Sequence, residues 1–513
     1  MMSRNSGSRR DFLKAAAAGG LMAGYGAPEM RLGQGALLAQ SPASDRRFVF
    51  VYIPGGWDLL LTLDPREFEL DAADQSAYRQ QVELTQIDTQ YRFGPGAVNS
   101  YAAGTYFAPT LYRPTGSTDP FYFGPGVVGT SSDGTPVDEP SLWSLASEGV
   151  PMSIIRGINM GTLGHEQGYL YGLTGEPAVG SDGRGSNMSV RIASALGHSG
   201  DGTSPVVVPV VAMGVQSFTG HHPGRYGAFM ISNITDVERM LSRPEALGEQ
   251  VNVEQALAEF ARGREAVFTD ARDPTGLARQ LSGSQERAEQ LLESDLADRF
   301  RFLYGDDEES QQMRGLYGVN EGSDPLSPGV VAGFAAQSIK HGLSQFVSVG
   351  FTKNNVDTHG TSNPGHLNGL YPCLRAISAL TKDLAETPAD AELGGSWLDH
   401  TTIVVFSEFG RTPMHNVHGG RDHHFLNAAL LIGAGVQANA VVGASTETGG
   451  MQPRYFDLDD QVLLGEGATP ANERQRYILP EDVGATLLAS AGLDYSEYRF
   501  GTPLWGAITE PPF

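Results

Sequence analysis

The sequence predicts an α/β protein built on a doubly wound, mostly parallel sheet. Short apolar runs recur along the 513 residues, helical patterns fall between or beside them, and clusters of acidic residues and histidines follow several of the runs. Unbroken apolar character marks strands buried on both faces, as in parallel sheets. The intervening helices supply the crossovers, and the carboxyl ends of such strands are where α/β sheets place ligands.

The chain opens with a segment that lies outside that fold. Ser8-Arg9-Arg10-Asp11-Phe12-Leu13-Lys14, followed by a weakly apolar alanine and glycine stretch, reads as a twin-arginine export signal, addressed to a translocase that moves folded proteins. Cleavage near Ala39 separates residues 1–39 from a mature domain, 40–513, that is periplasmic or extracellular. Loss of residues 1–39 removes five basic and two acidic residues, moving the formal charge from −24 to −27. Such acidity excludes nucleic acid and anionic membrane surfaces as partners. The mature chain shows no apolar run near the roughly 18 residues of a membrane anchor.

Strands are expected at Phe48–Ile53, Met152–Ile155, Val206–Val211, Phe346–Phe351, Thr402–Phe406 and Ala428–Ile432, and helices at Val330–His341 and Pro372–Glu386. Two stretches break the rhythm. Residues 64–140 read as a loop-rich excursion. Residues 234–318 read as an inserted helical subdomain, because Ala288, Leu291, Leu292, Leu296, Phe300 and Leu303 recur at helical spacing. Cys373, the single cysteine, excludes an internal disulfide and reads as a small buried apolar residue rather than a nucleophile.

Ligand-type residues concentrate between Asp357 and His424. In Asp357-Thr358-His359, residues two apart point to one side of an extended backbone, so a carboxylate and an imidazole can converge on one ion. His366 follows in the same loop, and Gly419-Gly420-Arg421-Asp422-His423-His424 leads into another apolar run. Asp58 and Glu408 end two further strands, completing a candidate site for a hard or borderline divalent ion. Arg411 is a candidate oxyanion clamp. His221 and His222 read as a turn-like surface pair, and His415 and His418 as exposed loop residues.

The leader, Gly55-Gly56-Trp57-Asp58, Phe123-Gly124-Pro125, Asp357-Thr358-His359, Ser407-Glu408-Phe409-Gly410-Arg411 and Gly419-Gly420-Arg421-Asp422-His423 resemble the exported bacterial family termed domain of unknown function 1501. That family is similar in turn to the alkaline phosphatase and sulfatase superfamily, whose late helix Pro480 to Leu488 also resembles. The resemblance implies an alkaline-phosphatase-like core and one or more divalent ions (zinc, manganese, magnesium or calcium). It implies Asp58 as first ligand, Asp357 with His359 as a pair, and His423 as the late histidine, with Asp422 or His424 assisting. Glu408-Phe409 departs from the superfamily's Asp-His, so one ligand of a two-ion site is missing. The nucleophile region becomes Arg156 to Glu166, where Thr162 is either an alkoxide nucleophile or a helix cap, and His165 is a further site residue.

These readings lead to an exported metal-dependent hydrolase of phosphate or sulfate esters, acting on a small-molecule or polymer substrate. The rival is a non-catalytic envelope protein that binds a metal or polymer on the same fold.

Overall fold

The computed structural model describes residues 45–66, 83, 85–87, 91–93, 105–107, 111–118, 120–128, 140–179, 185–196, 208–241, 296–354, 356–360 and 363–509. The export signal lies outside these residues. So do Ala288, Leu291 and Leu292 of the helical stripe, and Val206 and Val207 of one expected strand.

Eight strands form the central sheet: β1 (Arg47–Tyr52), β2 (Met152–Asn159), β3 (Val210–Met213), β4 (Phe229–Ile231), β5 (Phe346–Gly350), β6 (Thr401–Phe406), β7 (Leu426–Gly433) and β8 (Ala440–Val442). Their spatial order is β8-β2-β7-β6-β1-β5-β3-β4. Every pairing is parallel except those of β7, which runs antiparallel to both β2 and β6. The expected α/β sheet is therefore present, mostly parallel, with one reversed strand near its middle.

The two faces of β1 show why these residues form strands. Phe48, Phe50 and Tyr52 enter one buried cluster, and Val49, Val51 and Ile53 enter the other. A residue buried on either face contributes about 1.5–3 kcal/mol if it is a large aliphatic or aromatic one, so no polar alternation survives. Helices α1 (His165–Thr174), α2 (Met188–Ala195) and α5 (Pro480–Ser490) cover the first face, and α3 (Pro328–Lys340) and α4 (Asn363–Glu386) the second.

Helix α4 starts nine residues before the expected Pro372 and runs through it. Proline is normally a helix start or a break. Here Leu370, Cys373, Leu374, Ile377, Leu380 and Leu384 form one buried stripe on α3 and the sheet, and that burial outweighs the lost backbone bond. Cys373 is fully buried and its thiol is pushed far up by burial, away from nucleophilic use.

Of the expected excursion, Phe121, Phe123, Val127 and Val128 are buried in the core, where Gly124 N–H donates to Thr62 O at 2.6 Å. Of the expected helical insertion, Ile234–Leu241, Leu296–Arg299 and Glu308–Tyr317 are helical. Phe300 from this stretch packs on Phe334 of α3 at 5.7 Å. Among the described residues, no helix is long and apolar enough to cross a membrane.

Candidate metal centre

Strands β1, β2, β5 and β6 all end at one edge of the sheet, and the reversed β7 begins there. Each delivers a segment to the same place: Pro54–Asp58 after β1, Gly161–His165 after β2, Asp357–His359 after β5, Ser407–Arg411 after β6 and Arg421–His424 before β7. A two-rung antiparallel ladder, His423 opposite Arg411 and His424 opposite Gly410, joins the last two segments. The strand alternation it imposes sends adjacent histidines to opposite sides.

Close backbone approach makes this possible. A Cβ on Gly420 would lie 2.2 Å from His359 O, and one on Gly56, which has φ +75°, would lie 2.6 Å from the Phe409 ring. Neither position has room for a side chain.

His165, Asp357, His359 and His423 converge, with their ligand atoms all within 4.8 Å of one another. The other ring nitrogen of each imidazole is already engaged. His165 Nδ1 lies 2.7 Å from Glu408 Oε1, His359 Nδ1 lies 2.8 Å from Asp422 Oδ1, and His423 Nδ1 lies 2.7 Å from Leu163 O. Carboxylates and carbonyls only accept, so each Nδ1 carries a proton, and in the neutral ring Nε2 then presents a lone pair. His359 Nε2 and His423 Nε2 face each other at 2.7 Å, and His165 Nε2 is buried without a hydrogen bond, 3.3 Å from Asp357 Oδ2. Lone pairs that close repel unless a proton or a metal ion lies between them.

The surroundings supply the charge balance. Arg411 Nη2 donates to Asp357 Oδ1 at 2.6 Å. Burial pushes the Asp357 carboxyl up, but the Arg411 hydrogen bond and charge, with His165 and His359, hold it below its ordinary value. The Glu408 hydrogen bond raises His165, whereas burial lowers His423. Glu408 is 1% exposed, accepts from Gly55 N–H and Ser407 Oγ–H at 2.7 and 2.8 Å, and stays below its ordinary value despite burial. Its hydrogen bonds to His165 and Ser407 offset the burial. Phe409 is fully buried, with its ring 4.9 Å from His165 and 4.4 Å from His423, so it backs the imidazoles with an apolar wall.

A family model described as "Protein of unknown function (DUF1501)" matches residues 45–455. The chain belongs to that family. No curated protein matches the chain. The DUF1501 match contains every residue of the centre described above, whereas α5 lies beyond it.

The remaining sequence candidates fall elsewhere. Asp58 and Glu408, expected to complete the divalent-ion site, both have neighbours within the protein that carry their charge. Asp58 is 1% exposed, its Oδ1 accepts from Leu60 N–H at 2.9 Å, and its Oδ2 lies 3.0 Å from Arg421 Nε. Arg411, expected to clamp an oxyanion, has a fully buried side chain that donates to Gly55 O, Gly56 O, Arg421 O and Asp357. Thr162 Oγ1 accepts from Gly164 N–H at 3.1 Å, and Gly164 rather than Thr162 is the residue at the cap of α1. His424 Nδ1 accepts from Leu426 N–H and its Nε2 meets Gly450 O, so it braces the loop behind the centre. His418 is exposed and His415 partly so. His221 is exposed, but His222 is buried, with Nε2 3.4 Å from Glu497 Oε2, so the pair is not wholly on the surface.

His366 lies buried beneath the centre and links two of its segments. Its Nε2 accepts from Asp58 N–H at 3.0 Å, and its Nδ1 meets Thr358 Oγ1 at 2.7 Å. Burial pushes this imidazole down to about 4. An unfolded histidine titrates near 6.5, so between these values the unfolded chain binds more protons. The stability from neutral His366 is present above pH ~6.5 and is lost as pH falls towards ~4, up to roughly 3 kcal/mol. Urea unfolding midpoints at pH 7 and pH 5 check this: His366→Gln is expected to show a smaller acid loss than the parent chain.

Sequence reasoning did not give His165 a ligand's place, although an imidazole opening the helix after β2 is the available signal. The Leu163 carbonyl has no sequence signature at all.

Proposed function

We propose that the chain is an exported, metal-dependent hydrolase of phosphate or sulfate esters, working with one divalent ion on an alkaline-phosphatase-like core. The observation that carries the reading is the convergence of three imidazole Nε2 lone pairs and one carboxylate, each imidazole fixed through its Nδ1. His165, His359, His423 and Asp357 would hold the ion, and this imidazole-rich set suits zinc better than magnesium or calcium. When bound, the ion supplies Lewis-acid chemistry to a phosphoryl or sulfuryl group and acidifies water.

The chain's own residues do the rest. Glu408 and Asp422 hold the Nδ1 protons of His165 and His359, which fixes ring orientation and raises basicity at Nε2. Arg411 fixes the Asp357 carboxylate, and Phe409 excludes water from behind two imidazoles. Thr162 is the side-chain nucleophile of this scheme, next to Leu163, whose carbonyl fixes His423. A second ion has no support at Asp58 and Glu408, whose charges are matched by Arg421 and by the hydrogen bonds to Glu408.

One observation favours the non-catalytic reading. Arg411 and Arg421 both spend donors on internal carbonyls and carboxylates, which leaves the ion itself to meet an oxyanion. Two measurements on protein purified without chelators decide: elemental analysis, and turnover of 4-nitrophenyl phosphate and sulfate. About one ion per chain with chelator-sensitive turnover supports the hydrolase. A bound ion with no turnover of either ester supports the metal- or polymer-binding protein.

Export rests on Arg9, Arg10, Phe12 and Leu13. Replacing both arginines by lysine is expected to trap the precursor in the cytoplasm, because the translocase reads the guanidinium pair as an address. Undiminished export on cell fractionation removes that part of the proposal.

A further inference from the structure

A cavity of about 690 Å³ opens beside His165. It lies along the same edge of the sheet, over β1, β3, β4 and β5, and its wall includes Tyr52, Tyr169, Val215, Met230, Ile231 and Leu326. Tyr169 is fixed there: its hydroxyl accepts from Gln216 N–H at 2.7 Å, and its ring lies 4.6 Å from that of Tyr52. Met230 is 52% exposed, so an apolar side chain is held in solvent at this place. Exposed apolar surface continuous with a polar centre marks a binding site. Among the lining residues no lysine or arginine occurs, and Glu166 is the one carboxylate.

That charge pattern sorts what can enter. An anionic group gains nothing from this wall and is repelled by Glu166, so it has to end at the His165 side, where the imidazoles converge. Two tyrosine rings and a methionine suit a flat, uncharged aromatic group. We propose that this cavity receives the aromatic body of the ester, so that the substrate is an aryl or similarly bulky apolar ester rather than a small polyol or sugar ester. The substrate class rests on the hydrolase reading; the aromatic site itself does not.

The test uses the full-length mature chain loaded with zinc, and 1-naphthol as a neutral probe followed by its fluorescence. Saturable binding is expected, weakened at least roughly fivefold in Met230→Glu, because a carboxylate replaces an apolar contact. Met230 is half exposed, so this variant folds, and its circular dichroism spectrum and urea unfolding midpoint confirm that. Absence of saturable binding, or binding untouched by Met230→Glu, overturns the site. In the second arm, 1-naphthyl phosphate is expected to show a lower KM than methyl phosphate, with the ratio reduced in Met230→Glu. Naphthol binding without turnover of either ester removes the hydrolase reading and the substrate class while the aromatic site stands. Equal KM values with both esters turned over remove the substrate class and leave the hydrolase.

Discussion

His359→Ala is expected to take the bound metal from about one ion per chain to close to none, and any ester turnover with it, because it deletes one of four donors. His359 Nε2 lies 2.7 Å from His423 Nε2 and 3.2 Å from Asp357 Oδ1, so it stands between two of the other donors. Variants that keep the ligand but lose its support give a graded control. Glu408→Gln and Asp422→Asn each leave an imidazole in place with a weaker Nδ1 partner, a change that typically costs 10–100-fold in metal affinity. Glu408→Gln has the larger effect of the two, since Glu408 is 1% exposed while the Asp422 side chain is 56% exposed and screened by water. Competition with a chromogenic chelator measures all three. Full metal content in His359→Ala rules out this centre.

Much of this arrangement is legible in the sequence, for a physical reason. A strand buried on both faces cannot hide its apolar run, so β1, β5 and β6 are visible, and the residues that follow them are placed at one sheet edge by the parallel topology. Asp357, His359 and His423 could therefore be grouped across about 60 positions before any coordinates. The reversal of β7 could not, because a doubly buried strand reads the same in either direction. Residue type also fails to say what a carboxylate faces. Glu408 and Asp357 both follow strands, yet one accepts from His165 Nδ1 and a backbone amide, and the other faces three Nε2 atoms. The difference lies in the turn at Gly55 and Gly56, which aims an N–H at Glu408, and in a carbonyl at Leu163 that any residue would supply.

Arg421→Met is expected to destabilise the fold by about 3–5 kcal/mol, as removal of one partner from a buried ion pair does. The side chains of Arg421 and Asp58 are 3% and 2% exposed, and Arg421 Nε stands 3.0 Å from Asp58 Oδ2. Without the guanidinium the carboxylate is left buried, with its charge unmatched by Arg421 and the Leu60 N–H hydrogen bond still in place. Asp58→Asn in the same chain removes the stranded charge, so the double variant should recover most of the loss, and the unfolding midpoint in urea reads both. The single variant Asp58→Asn then separates two roles that the sequence leaves joined. If the Asp58 carboxylate binds the ion, Asp58→Asn empties the centre. If it is spent on Arg421, the variant loses stability but keeps its metal, because His165, Asp357, His359 and His423 are untouched. The second outcome is expected, since Asp58 Oδ1 accepts from Leu60 N–H and Oδ2 is ion-paired with Arg421.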